Sequence, residues 1–127
     1  MRRVIVVPAL VIAAWSCAGR SQRVEHRTSN NIVTREEIAA ANVTTAYEAL
    51  DRLRPMFLRR IPRSAKGSGS EYAVVFIDGV RRGSPDILRT VSASAIAEIR
   101  YLTASDATTH YGLDVDGGVI DVKLMHP

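Results

Sequence analysis

Apolar and polar positions divide the chain into three stretches of different character. Val4 to Trp15 is almost continuously apolar, and residues 18–30 are polar with no apolar period. From Asn31 onward, short apolar groups recur at helix and strand spacings. Asn31-Ile32-Val33 predicts a short strand. Thr34-Arg35-Glu36-Glu37 is a capping-box sequence, in which the threonine hydroxyl and the glutamate carboxylate satisfy each other's backbone N–H, and it opens a helix to about Ala41. A second box, Thr45-Ala46-Tyr47-Glu48, restarts a helix to about Arg54, with Ala46, Ala49, Leu50 and Leu53 on one face. Pro55 ends it.

Tyr72-Ala73-Val74-Val75-Phe76-Ile77 is the strongest strand signal, and its unbroken apolar run fits a strand covered on both faces. Asp78-Gly79 predicts a tight reversal into Val80-Arg81-Arg82. Ser84-Pro85-Asp86 opens a short turn or helix around Ile87-Leu88. In Ile96 to Leu102, Ile96, Glu98, Arg100 and Leu102 alternate with Ala97, Ile99 and Tyr101, which predicts a strand with one side toward water. Ser105 is placed to cap a helix from Asp106 to Tyr111 that stops at Gly112. Asp114 to Gly118 reads as a loop, with Gly117-Gly118 turning the chain into a last strand, Val119 to Leu124. The sum is an α+β fold: a small mixed sheet of four to five strands with short helices packed on it.

The N-terminal stretch changes the reading of compartment. Arg2 and Arg3 precede an apolar run too short for the ~20 residues of a membrane-spanning helix, so residues 1–16 read as an export signal. Ala14-Trp15-Ser16-Cys17 resembles a lipobox and places the single Cys of the chain at its end. Cys17 is therefore the expected lipidation site. Residues 17–30 become a lipid-anchored tether and 31–127 the folded domain. One cysteine makes no intramolecular disulfide. Loss of Arg2 and Arg3 takes the formal charge from +4 to +2, a poor basis for nucleic-acid binding, and none is expected.

Candidate chemistry is sparse. Arg52, Arg54, Arg59, Arg60, Arg63 and Lys66 form a basic group that reads first as a solvated face and second as a contact surface for phosphate head groups or an acidic partner. Gly67-Ser68-Gly69-Ser70 lacks the lysine and hydroxyl of a phosphate loop. Asp114-Val115-Asp116-Gly117 lacks the later oxygen ligands of a calcium loop. Asp106 and His110, four apart, read as a surface helix pair. No catalytic residue, cofactor or metal is expected. Asp78, Gly79, Gly112, Gly117 and Gly118 stand out instead as residues on which the turns depend.

Val75-Phe76-Ile77-Asp78-Gly79-Val80, then Ala95 to Leu102, Ala104-Ser105-Asp106-Ala107, Tyr111-Gly112 and Gly117 to Val122 follow one another in an order that resembles the plug domain of TonB-dependent outer-membrane receptors. The Thr34 to Ile38 start and the Ala46 to Leu53 helix extend the likeness to residues 31–124. Where such plugs read Ile-Glu-Val, this chain has Ile99-Arg100-Tyr101 with Glu98 beside it. The resemblance implies a plug-like α+β domain at the periplasmic face of the outer membrane. The 127 residues hold no barrel, so the expected role is non-enzymatic, a binding or accessory module whose partner is an outer-membrane barrel or another envelope protein. The alternative is a soluble periplasmic module for a small molecule or glycan.

Overall fold

A computed structural model describes residues 30–61, 71–112 and 114–127. The stretch expected to be an export signal, Cys17, nearly all of the expected tether, Arg63, Lys66 and the 67–70 stretch lie outside the described residues. Five strands form one mixed sheet: β1 (Ile32–Thr34), β2 (Val74–Ile77), β3 (Val80–Gly83), β4 (Ile96–Leu102) and β5 (Val119–Leu124). Their spatial order is β1-β4-β5-β2-β3. Only β2 and β5 run parallel, and the other three neighbouring pairs are antiparallel. The α+β architecture expected from the alternation of elements is the one observed.

Among the described residues three helices flank the sheet: α1 (Arg35–Ala41), α2 (Ala46–Leu53) and α3 (Ala104–Tyr111). At the start of α1 the full capping box forms. Glu37 N–H donates to Thr34 Oγ1 at 3.4 Å, and Thr34 N–H donates to Glu37 Oε2 at 3.0 Å. The second box forms by half. Glu48 N–H donates to Thr45 Oγ1, and the Glu48 carboxylate takes its two short bonds from the backbone N–H and the hydroxyl of Thr44, each at 2.9 Å. The Thr45 backbone is extended and bridges to Ser92. Those two bonds hold the Glu48 carboxyl below its ordinary range.

The α3 cap differs from the expected one. Thr103, not Ser105, is its N-cap: the Thr103 hydroxyl donates to Asp106 Oδ2 at 2.8 Å and accepts from Asp106 N–H at 3.4 Å. Ser105 lies one residue inside the helix, where its carbonyl accepts the Thr109 hydroxyl. Pro55 does end α2, and Pro55–Leu58 continues as one 3-10 turn.

The main core lies between one face of the sheet and α1, α2 and the 3-10 turns Pro55–Leu58, Pro85–Thr90 and Ala93–Ala95. It joins Val33, Ile38, Leu50, Phe57, Val75, Leu88, Ile99, Ile120 and Val122, all at most 4% exposed. The opposite face carries a smaller cluster of Val74, Phe76, Ala107, Val115 and Val119, against which Leu102 and Tyr111 pack. Strand β2 is buried at all four residues because each face has a cover, as its unbroken apolar run predicts.

Strand β4 departs from simple alternation. Its register against β5 shifts between Ile96 and Glu98, so Ala97 is the extra residue of a bulge. Ile96 thereby joins Ile99 in the main core, 1% exposed, instead of lying beside Glu98 and Arg100. The far face of β4 is only partly open to water, because Leu102 packs into the cluster that contains Ala107 of α3.

Candidate functional site

The basic group divides by the partner each side chain finds. Arg52 Nη1 donates to the Ala41 carbonyl at 2.6 Å and ties α2 to the end of α1. Arg54 donates from Nε to the Asn30 carbonyl at 3.1 Å and pairs with Glu37 at 3.1 Å, its side chain only 20% exposed. Arg60 pairs with Glu71 at 2.6 Å, and that hydrogen bond raises its already high pKa. Arg59 is exposed and has no ion pair among the described residues. Arg52 and Arg54 thus serve the α1–α2 junction, while Arg59 and Arg60 follow the Pro55–Leu58 turn. Arg63 and Lys66 lie outside the described residues.

The turn residues have definite backbone tasks. Asp78 (φ 48°) and Gly79 (φ 79°) make the two-residue β2–β3 reversal with both central φ values positive, the geometry that suits strand twist. Gly118 has φ 80°, and a Cβ there would lie 2.6 Å from the Leu102 carbonyl oxygen. Gly112 caps α3, and the Gly117 carbonyl accepts the Tyr101 hydroxyl at 3.4 Å.

One polar constellation escapes sequence reading. The β4–β5 register sets Glu98 opposite Lys123 and Arg100 opposite Asp121 on the face that α3 half covers. Glu98 binds Arg100 at 3.0 Å and lies 4.0 Å from Lys123. Asp121 takes a hydrogen bond from the Tyr111 hydroxyl, and burial pushes its carboxyl above the ordinary range against the pull of Lys123 and Arg100. The Arg100 Nε is buried without a hydrogen-bond partner. In sequence these four charges read as a solvated strand face. The cross-strand pairing that gathers them depends on a register that no local motif encodes.

Asp106 and His110 are not brought together. The Asp106 carboxylate accepts the Thr103 hydroxyl, and no hydrogen bond or ion pair joins it to His110 among the described residues. Among the described residues no group of three His, Cys, Asp or Glu side chains is placed to hold a metal ion. No helix there is long and apolar enough to cross a membrane. A cleft of about 270 Å³ opens between α1 and the Ala93–Ala95 turn, floored by Ile38 and Ala93 and edged by Arg35, Asn42 and Ser94.

With this geometry in view, comparison with curated proteins returns the vitamin B12 transporter BtuB of Vibrio vulnificus (strain YJ016). The two are 32% identical over 85% of this chain and 20% of the transporter. This chain is similar to a fragment of a TonB-dependent receptor. The match covers more of the chain than any one motif could. The chain spans about a fifth of the length of the curated relative it matches. No family model matches it, and no solved structure matches it.

Proposed function

We propose that residues 31–127 form a non-enzymatic, plug-like binding or accessory module of an outer-membrane transport or envelope system. The observation that carries this reading is the 32% identity to a piece of a vitamin B12 transporter across 85% of the chain. The five-stranded mixed sheet is compatible with it. In this reading Cys17 is acylated, residues 18–30 form the tether, and the domain faces the periplasm beside a barrel or another envelope protein. Two acyl signals anchor stably where one chain alone is marginal, because each buried CH₂ contributes ~0.8 kcal/mol.

Crosslinking in intact cells, with affinity capture and mass spectrometry, tests the proposal on native chain and Cys17→Ser side by side. Enrichment of a barrel receptor or transport component with the native chain alone supports the anchored module. Equal, partner-free recovery of both forms contradicts it.

A second reading, a soluble periplasmic module for a small molecule, is favoured by the cleft between α1 and Ala93–Ala95. Its volume of about 270 Å³ lies just below the usual range of ligand sites, about 300–1,000 Å³. A saturable rise in melting temperature with a small ligand, lost on Ala93→Leu, supports that reading; no rise across a broad ligand set rejects it.

A further inference from the structure

We infer that the Pro55–Ile61 segment is a docking surface for an anionic lipid bilayer. The argument begins with which side chain of the 3-10 turn is buried. Phe57 is 2% exposed and its ring stacks on Tyr101, with centroids 4.8 Å apart. That anchor turns the neighbouring Met56 outward, 59% exposed. The chain then extends, and Ile61 N–H donates to the Glu71 carbonyl at 2.7 Å, which ties Ile61 to the backbone just ahead of Tyr72. Ile61 is 36% and Tyr72 40% exposed, so three of the five large exposed apolar side chains among the described residues belong to this one region.

Charge distinguishes the surface from a protein-docking patch of ordinary composition. Arg59 and Arg60 lie between Met56 and Ile61, and from Arg59 to Ser70 the sequence contains no acid. Glu71 answers Arg60 and leaves Arg59 exposed with no ion pair among the described residues. Apolar side chains that reach the acyl boundary, with the Arg59 guanidinium free to meet phosphate, match the layered chemistry of an anionic bilayer. A free acidic protein would satisfy the arginines and leave Met56 and Ile61 without an apolar layer to enter. The inference stands on this surface and does not depend on the plug reading or on acylation of Cys17.

The test uses the full chain in nanodiscs, either wholly phosphatidylcholine or about one-third phosphatidylglycerol, where each arginine at an anionic surface is worth about fivefold in partitioning. Whatever holds the N-terminus to the disc is common to both. Amide hydrogen exchange at Met56 to Ile61 is expected to slow fivefold or more in the anionic discs, with β4 and β5 unchanged as the fold control. Slowing is expected to vanish in Met56→Ser/Ile61→Ser and in Arg59→Glu, all exposed positions whose replacement leaves the core intact. Equal exchange in the two discs overturns the proposal, as does slowing that survives both variants. Slowing by soluble polyglutamate, with none from anionic discs, assigns the surface to an acidic polypeptide and overturns it too.

Discussion

The Asp78 carboxylate accepts the backbone N–H of Leu124 at 3.0 Å, so the β2–β3 turn is fastened to the far end of β5 across 46 positions of sequence. Asp78 N–H also donates to the Val122 carbonyl at 2.9 Å. One residue therefore holds the left-handed turn conformation and closes the edge of the parallel β2–β5 pair. His126 lies 3.4 Å from the second carboxylate oxygen but is 73% exposed, which leaves the backbone bond as the stronger of the two ties.

Replacement of Asp78 separates these roles. Asp78→Ala loses the acceptor and is strained at positive φ, with an expected loss of about 1–3 kcal/mol in urea unfolding. Asp78→Asn keeps an acceptor oxygen and tolerates the left-handed region, so it is expected to retain most of that stability. Equal loss in both variants would show that the carboxylate charge, and not the hydrogen bond, is what matters.

Gly118 is the position least tolerant of a methyl group. Its φ of 80° strains any L side chain, and the added Cβ meets Leu102 O at 2.6 Å and the Tyr101 hydroxyl at 2.7 Å. Tyr101 has room to rotate only by giving up its stack on Phe57, and the carbonyl belongs to β4 itself. Gly118→Ala is expected to cost at least about 2 kcal/mol, measured as a fall in the urea midpoint. Gly79→Ala, where nothing lies within 4 Å, carries only the conformational part and is expected to cost less.

The bulge at Ala97 makes Ile96 a core residue, and mutation reads this directly. Ile96→Ala is expected to destabilise by about 2–4 kcal/mol, because a fully enclosed side chain leaves a cavity. Leu102→Ala, at a partly covered site on the other face, is expected to cost less. Thermal or urea unfolding of the two variants gives the order. The reverse order would mean that β4 alternates without a bulge.

Asp121 sets a pH dependence whose sign follows from its burial. Its carboxyl is pushed above the ordinary range chiefly by desolvation, so the native state holds its proton more tightly than the unfolded chain does. Stability then falls as pH rises from about 4, near the unfolded carboxyl, through the raised native value. Asp121→Asn is expected to flatten that part of the profile and to be no less stable than the parent at neutral pH, since Arg100 keeps Glu98 at 3.0 Å. Urea midpoints measured across the acidic to neutral range check it. A loss above about 1 kcal/mol at neutral pH would show that attraction to Arg100 and Lys123 outweighs the burial.

Much of this architecture is legible one turn at a time. Thr34 and Glu37, Thr45 and Glu48, and Asp78 and Gly79 each act within a few residues, so sequence spacing alone reveals the helix starts and the hairpin. The apolar run Val74 to Ile77 declares a strand buried on both faces, although not what buries it. The α3 cap moved by two residues because Thr103 and Ser105 offer the same hydroxyl, and only the end of β4 decides which is extended.

The basic group was visible as charge, but its division was not. Arg52 and Arg54 find the Ala41 and Asn30 carbonyls and Glu37 only when α1 and α2 pack, while Arg59 finds no ion pair among the described residues. The choice of Phe57 over Met56 for the interior likewise rests on the Tyr101 ring, 44 positions away. By itself the amino-acid sequence determined the strands and helices, the N-caps at Thr34 and Thr45 and the α+β class, because those depend on contacts between near neighbours. Tertiary structure alone decided the strand order, the bulge that turns Ile96 inward, the Asp121–Tyr111 contact and the outward face of the Pro55–Ile61 segment. Each of these is a contact between distant residues, and its energy exists only once the sheet has assembled.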